Sequence, residues 1–121
     1  MASRVRSAAL VGLEATLVDV ETDINFGMPK FFVVGLADTA IQEARERVRS
    51  GLKHSGTRVP STKITVSLAP ADLKKEGPAF DLPIAVSILI ASRQLFQLPD
   101  DVLLLGELSL DGTVRPVTGV L

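Results

Sequence analysis

Hydrophobic and polar positions change their spacing several times along the chain, and each change marks an element. Between positions 4 and 22 the pattern reads as two strands meeting near Gly12-Leu13-Glu14, with Leu17, Val18 and Val20 among Thr16, Glu21 and Thr22 in the second. A connector rich in turn formers, Asp23-Ile24-Asn25-Phe26-Gly27-Met28-Pro29, follows. Phe31-Phe32-Val33-Val34 is a continuous apolar run ended by Gly35, the pattern of a central strand covered on both faces. A helix then starts at Asp38 or Thr39. Ile41, Ala44, Val48 and Leu52 share one stripe, Thr39 and Gln42 have capping-box spacing, and Glu43 precedes Arg47 by four. Gly56 stands where a left-handed residue ends a helix.

Past that helix, Lys63 to Leu68 alternates Ile64, Val66 and Leu68 with Thr65 and Ser67, a strand with one wetter face. The stretch around which the rest is organised is Lys74 to Ala91, KKEGPAFDLPIAVSILIA. A charged loop broken by Gly77 and Pro78 opens into a helix with Asp81 as expected N-cap and Pro83 in its first turn. From Ile84 to Ala91 only Ser87 is polar, so this helix has no face for water and belongs in the core. It is too short to cross a bilayer, which needs ~20 apolar residues. After a loop holding Pro99, Val102 to Leu105 reads as a strand, and Leu108 to Val114 as a hairpin turned at Asp111-Gly112. The order is roughly β-β-β-α-β-α-β-β, which makes the fold class α+β, a two-layer α/β arrangement with a mixed sheet and two main helices.

Composition narrows the chemistry. At 121 residues the chain is one domain with enough bulk to bury a core unaided. There is no Trp or Tyr and five Phe, so that core is aliphatic. The absence of cysteine removes disulfides, thiolate metal sites and thiol nucleophiles, and the single histidine, His54, cannot build an imidazole metal cage. No metal site is expected. A net charge of −1 argues against whole-surface attraction to nucleic acid. The first residues lack the apolar segment of a secretory signal, so a soluble cytoplasmic domain with no membrane partner is expected.

Gly51 to Gly56 has the G-x-x-x-x-G spacing of a phosphate loop but lacks the following lysine and ends a helix instead of starting one. Arg45, Arg47, Arg49, Lys53 and Arg58 make the first helix and its exit locally basic, either a solvated face or a contact for DNA or an acidic partner. No aromatics interleave with them, which excludes a base-stacking platform. His54 reads as a helix-end residue favoured by the helix dipole. Glu107 has no evident structural task beyond a pairing with Arg115 across the hairpin. No general acid–base pair is supported. Lys74, Lys75, Glu76 and Asp81 form the candidate ligand loop.

Two segments then become familiar together. Leu105 to Gly119 resembles the G-E-x-x-L-x-G-x-V-x-P-V-G-G segment of Lon-type protease domains, and Lys74 to Ala79 resembles their P-K-D-G-P-S loop, which carries the nucleophilic serine. Over nearly its whole length the chain is similar to the N-terminal domain of magnesium-chelatase-like AAA+ proteins of the ComM/YifB type. The shared wording spans Ala9 to Ala15, Phe31 to Ser50, Ile64 to Gly77 and Phe80 to Ala85. The resemblance implies a Lon-protease-like fold of the ribosomal-S-five domain-2-like superfamily. It also implies a downstream AAA+ module that uses ATP and Mg, bacterial cytoplasmic location, like subunits in a hexamer, and a link to DNA processing as a helicase in natural transformation.

Carried over residue by residue, the Lon serine falls on Ala79, after Gly77 and Pro78, and the Lon lysine on Leu121. A Ser–Lys dyad needs a hydroxyl and an amine to take its proton, and these positions hold neither. The expectation is a non-catalytic interaction or assembly domain. Direct DNA binding through the basic helix is the alternative. Residual hydrolase chemistry through Ser67, Ser87 or Ser92 is the remaining reading, with no base at recognisable spacing.

Overall fold

In the computed structural model, residues 2–11, 14–70, 78–99 and 101–115 are described. Strands β1 (Ala2–Val11) and β2 (Glu14–Asn25) form the expected antiparallel pair. The next elements are β3 (Lys30–Val34), α1 (Asp38–His54), β4 (Lys63–Ala69), α2 (Asp81–Ala91), β5 (Glu107–Leu108) and β6 (Val114–Arg115). The four-stranded sheet has the order β1-β2-β4-β3, antiparallel except where β3 lies parallel to β4. The parallel step is the one bridged by α1, as parallel strands need a crossover. Sheet and helices make the two-layer α+β architecture.

One face of the sheet is covered and the other is open. Val5, Val18, Val20, Phe31, Val33, Ile64, Val66 and Leu68 are buried, together with Ala44, Val48 and Leu52 of α1. Phe80, Ile84, Ala85 and Ile88, at or just before α2, complete the core. The stripe read on α1 is the stripe that is buried. Helix α2 packs against β1 and β2, against α1 and against β5, which is why it has no polar face. Its single interior hydroxyl is satisfied: Ser87 Oγ donates to Thr22 Oγ1 at 2.7 Å, and Ser3 Oγ donates to the Ser87 carbonyl oxygen at 2.6 Å. A buried polar group paired in this way avoids the cost of an orphan.

Several local expectations give way to tertiary structure. The apolar run in β3 does not make a central strand: β3 is an edge of the sheet, its Phe31 and Val33 buried and its Phe32 and Val34 41% and 52% exposed. The aromatic ring left outside is partly covered by the Lys63 ammonium, 5.9 Å from its centroid. Val102 to Leu105 is not a strand either. It touches the edge of β1 through one bridge, Leu103 opposite Arg6, and one bond from Leu104 N to the Arg6 carbonyl oxygen. The capping box at the start of α1 does not form. Ala37 is the N-cap without a side-chain bond, and Gln42 Oε1 instead accepts from Arg45 Nη2 at 2.6 Å.

Other punctuation behaves as read. Ser55 caps α1 through a bond from its N–H to the Gly51 carbonyl oxygen, and Gly56 follows at φ +87°. Asp111 Oδ1 accepts from Thr113 N, and Gly112 takes φ +91° in the hairpin turn joining β5 to β6. No helix among the described residues is long and apolar enough to cross a membrane. Because Ile88 is fully enclosed between sheet and helix, Ile88→Ala should lower unfolding free energy by about 2–5 kcal/mol. Urea denaturation would register this as a lower midpoint at an unchanged slope.

Candidate interaction site

Where they are described, the two segments that resemble Lon-type motifs lie together. A 3-10 turn, Pro78–Phe80, leads into α2. The Ala79 carbonyl oxygen accepts from Gly106 N at 2.9 Å, and Leu82 N donates to the Gly106 carbonyl oxygen at the same distance. The entry to α2 is thus stitched to the segment leading into β5. The crossing is tight: a Cβ on Gly106 would lie 3.1 Å from Val114 Cγ1 and 3.2 Å from Leu82 Cβ, so a larger residue would make these side chains give way. Gly77, Lys74, Lys75, Glu76 and Leu121, which belong to the candidate loop and its Lon-like counterpart, lie outside the described residues.

Asp81 is not the N-cap that its position suggested. Phe80 holds that place without a side-chain bond, and Asp81 is the first helical residue. Its carboxylate is drawn sideways, where Arg47 Nε donates to Oδ2 at 2.6 Å and Arg47 Nη2 donates to Oδ1 at 3.2 Å. Leu108 N donates to the same Oδ2 at 3.2 Å. One carboxylate therefore joins α1, α2 and β5. Asp81 is 1% exposed and Arg47 21%. Outside the pair, Arg47 Nη1 reaches Glu43 at 3.8 Å, a solvated contact of the kind that contributes little.

Burial pushes the Asp81 carboxyl above the ordinary carboxylate value. The Arg47 hydrogen bond, the Leu108 N–H and the Arg47 charge oppose this, and Glu107 adds like charge. The Arg47 guanidinium is held above its own ordinary value, chiefly by the hydrogen bond to Asp81. Desolvation and pairing thus pull the carboxyl in opposite directions, and desolvation is the larger.

The remaining basic side chains have separate tasks. Arg45 Nη1 donates to the Phe31 carbonyl oxygen at 3.0 Å, fastening α1 to the edge strand. The Arg49 guanidinium lies 5.8 Å from the centroid of the Phe31 ring. Lys53 and Arg58 are exposed, and Gln94 grips the Arg58 backbone on both sides at 2.9 Å. Arg45, Arg47, Arg49, Lys53 and Arg58 are therefore not one cationic surface: two are spent internally and three face solvent. His54 is exposed at the helix end, its Nδ1 2.9 Å from the Ser50 carbonyl oxygen. Gly51 is close-packed, a Cβ there standing 3.4 Å from Leu108 Cδ1 and from the Ser109 carbonyl oxygen, whereas a Cβ on Gly56 would meet open space and that glycine answers to its φ of +87°.

Ser87 is enclosed in the hydroxyl cluster described above, Ser92 Oγ donates to the Leu89 carbonyl oxygen at 3.2 Å, and Ser67 sits half-buried on β4. Each lacks a general base within the hydrogen bonds recorded for it. Glu107 is opposite Arg115 in the β5–β6 register, but its charge is felt by Asp81 and Arg47. Among the described residues no three of His, Asp or Glu converge as metal ligands. Sequence spacing hid the Arg47–Asp81 partnership, because its members lie 34 positions apart and Arg47 already had a plausible local partner in Glu43.

A family model described as subunit ChlI of Mg-chelatase matches residues 20–121. The chain belongs to that family. Within it, the chain is 47% identical over 120 residues to the uncharacterized protein YifB of Escherichia coli, covering 98% of this chain and 24% of that protein. It is 46% identical over 124 residues to the competence protein ComM of Haemophilus influenzae, covering 97% and 23% respectively. An uncharacterized protein of Mycobacterium tuberculosis is 44% identical over 119 residues, with 98% and 24% covered. This ChlI-family chain thus spans about a quarter of the length of its curated relatives.

The pair at the heart of this ChlI-family domain is testable through pH. In an Arg47→Met variant the Arg47 hydrogen bonds and charge that lower the Asp81 carboxyl are gone and only the Leu108 N–H remains to oppose burial, so its folded-state value rises further above the unfolded one. A raised folded value contributes stability that is present below the unfolded value and is lost as pH rises through the folded one. The variant should therefore lose about 3–5 kcal/mol near neutral pH and much less in acid. Urea titrations of both proteins across the carboxylate range measure this. An equal loss at every pH would show that Arg47 acts only by packing.

Proposed function

We propose that this chain is a non-catalytic interaction and assembly domain of a magnesium-chelatase-like AAA+ ATPase of the ComM/YifB type. The observation that carries the reading is the fate of the loop entering α2. At the position of a Lon-type nucleophile stands Ala79, whose carbonyl oxygen is used to hold Gly106. The carboxylate two residues on, Asp81, is consumed by Arg47 and Leu108 N. Acyl transfer needs a nucleophile and a base free to take its proton, and the groups here are bonded to each other in a structural tie. The Lon-like resemblance thus describes an inherited scaffold with its chemistry replaced by packing.

On this reading the remaining three-quarters of a full-length relative supplies the AAA+ module, with ATP and Mg as its ligands. Like subunits assemble with it, in a hexamer, in the cytoplasm and without a membrane partner. The name of ComM, a competence protein, supports association with DNA processing. A second reading, direct DNA contact, is favoured by one observation: Arg49, Lys53 and Arg58 are exposed on and just after α1. Arg45 and Arg47 drop out of that surface because their guanidinium groups are engaged within the fold.

Three measurements on one preparation separate these readings. A fluorophosphonate probe should leave the domain unlabelled. Labelled single- and double-stranded DNA, titrated at about 50 and 200 mM salt, should show no binding that weakens with salt. Sedimentation velocity, with and without the ATPase portion of a full-length relative, should show association with that portion. A labelled serine would overturn the non-catalytic reading. Salt-sensitive binding abolished when Arg49, Lys53 and Arg58 become Ala would transfer the function to DNA contact.

A further inference from the structure

A cleft of about 350 Å³ lies between the start of β3, the second half of α1 and the segment 59–62 leading into β4. That volume falls in the lower part of the range occupied by small-molecule sites. Its charge is one-sided: Lys30 and Arg49 line it, and no carboxylate does. It lies away from the Asp81 tie, and neither its charge nor its shape is used by the interactions described so far.

Three features make it more than a dent between cations. The Arg49 guanidinium is placed over the Phe31 ring, 5.8 Å from its centroid, so its planar fork is presented from a defined position instead of sweeping through solvent. The Thr62 hydroxyl is buried and has no hydrogen-bonding partner, an uncommon condition that calls for an explanation. Ser61 supplies a second hydroxyl in the same wall. The frame is also stiff. Pro29 and Pro60 fix their backbones at the two lips, and Lys30 N donates to the Thr62 carbonyl oxygen at 3.4 Å, joining them.

We propose that this cleft binds a phosphate group carried on a small organic body. A guanidinium fork, an ammonium and hydroxyl donors are the set that matches the several oxygens of a phosphate, and the prolines and Val59 offer an apolar wall for the carrier. This goes beyond the assembly role and does not depend on it. The same phosphate chemistry arrives from two sources, a free phosphomonoester or the phosphodiester of a nucleic-acid strand, and the experiment distinguishes them.

The test is an NMR titration of the isotope-labelled domain with inorganic phosphate, glycerol phosphate and a short single-stranded oligonucleotide, at matched ionic strength with acetate as control. Saturable shifts should centre on the amides of Lys30, Phe31, Ser61 and Thr62, with acetate much weaker. Arg49→Gln should weaken phosphate binding by about tenfold or more. Thr62→Val, which keeps the side-chain shape, should weaken it several-fold, and Arg93→Gln, an exposed cation outside the cleft, should leave it unchanged. Far-UV circular dichroism checks that each variant is folded. Tighter binding of glycerol phosphate identifies the free ester as ligand, and tighter binding of the oligonucleotide identifies the strand. Shifts scattered over all cationic residues, or equal in Arg49→Gln and wild type, would overturn the proposal.

Discussion

The carboxylate of Asp81 ties three elements, α1, α2 and β5, together at one point. Helix α2 is apolar on all sides, and apolar contact is non-directional: it favours burial but leaves a helix free to slide or turn within the core. The bonds from Arg47 on α1 and from Leu108 N at β5 to the first residue of α2 add direction at one end. A buried ion pair contributes little net stability, since desolvation nearly offsets attraction. Its asymmetry matters more. Any packing that parts the two groups strands a charge in the interior, so competing arrangements of α1 and α2 are penalised even though the native one gains little. The Ser3–Ser87–Thr22 hydroxyls act similarly in mid-helix, where α2 crosses β1 and β2.

Hydrophobic pattern made most of the fold legible before any coordinates. The period of about two in β2 and β4 and the stripe Ile41, Ala44, Val48, Leu52 on α1 each reported a real buried face. The all-apolar Ile84 to Ala91 reported enclosure. What failed were inferences from a feature that has two physical causes. Phe31-Phe32-Val33-Val34 looks like a strand buried on both sides, yet its second and fourth residues lie on the open face of an edge. Asp81 and Gln42 both had the local signature of helix capping, yet Gln42 is claimed by Arg45 within α1 and Asp81 by Arg47, 34 positions away, which sequence spacing could not place. Polar side chains with several possible partners are decided by tertiary distance, which no local window contains.

The candidate site was legible in the same uneven way. The two segments singled out by the resemblance are hydrogen-bonded to each other where they are described, Ala79 and Leu82 to Gly106, a proximity that the sequence itself did not state. The basic residues were legible as a cluster but not in their tasks. On a helix, residues two apart face in very different directions while residues four apart are neighbours, so Arg47 parts from Arg45 and Arg49, which both reach Phe31. Arg45 reaches the edge strand, Arg47 the interior, and Arg49 the ring of Phe31. The cleft residues Lys30, Ser61 and Thr62 carried no sequence motif at all, because their proximity comes from the parallel pairing of β3 with β4.

On the proposed reading, that distribution bears on how a binding domain is built at a site without a nucleophile. The entry to α2 still has to be held in place, and the polar groups around it serve that structural task. Arg47 cannot be shared between Asp81 and an external anion without unpairing a carboxylate that is 1% exposed. New recognition has to arise where cations are still free to exchange partners. On α1 that means Arg49 and residues beyond it, next to the segment that feeds β4. On the proposed reading, the face open to a ligand therefore lies away from the entry to α2, because the interior tie at Asp81 already engages the polar groups there.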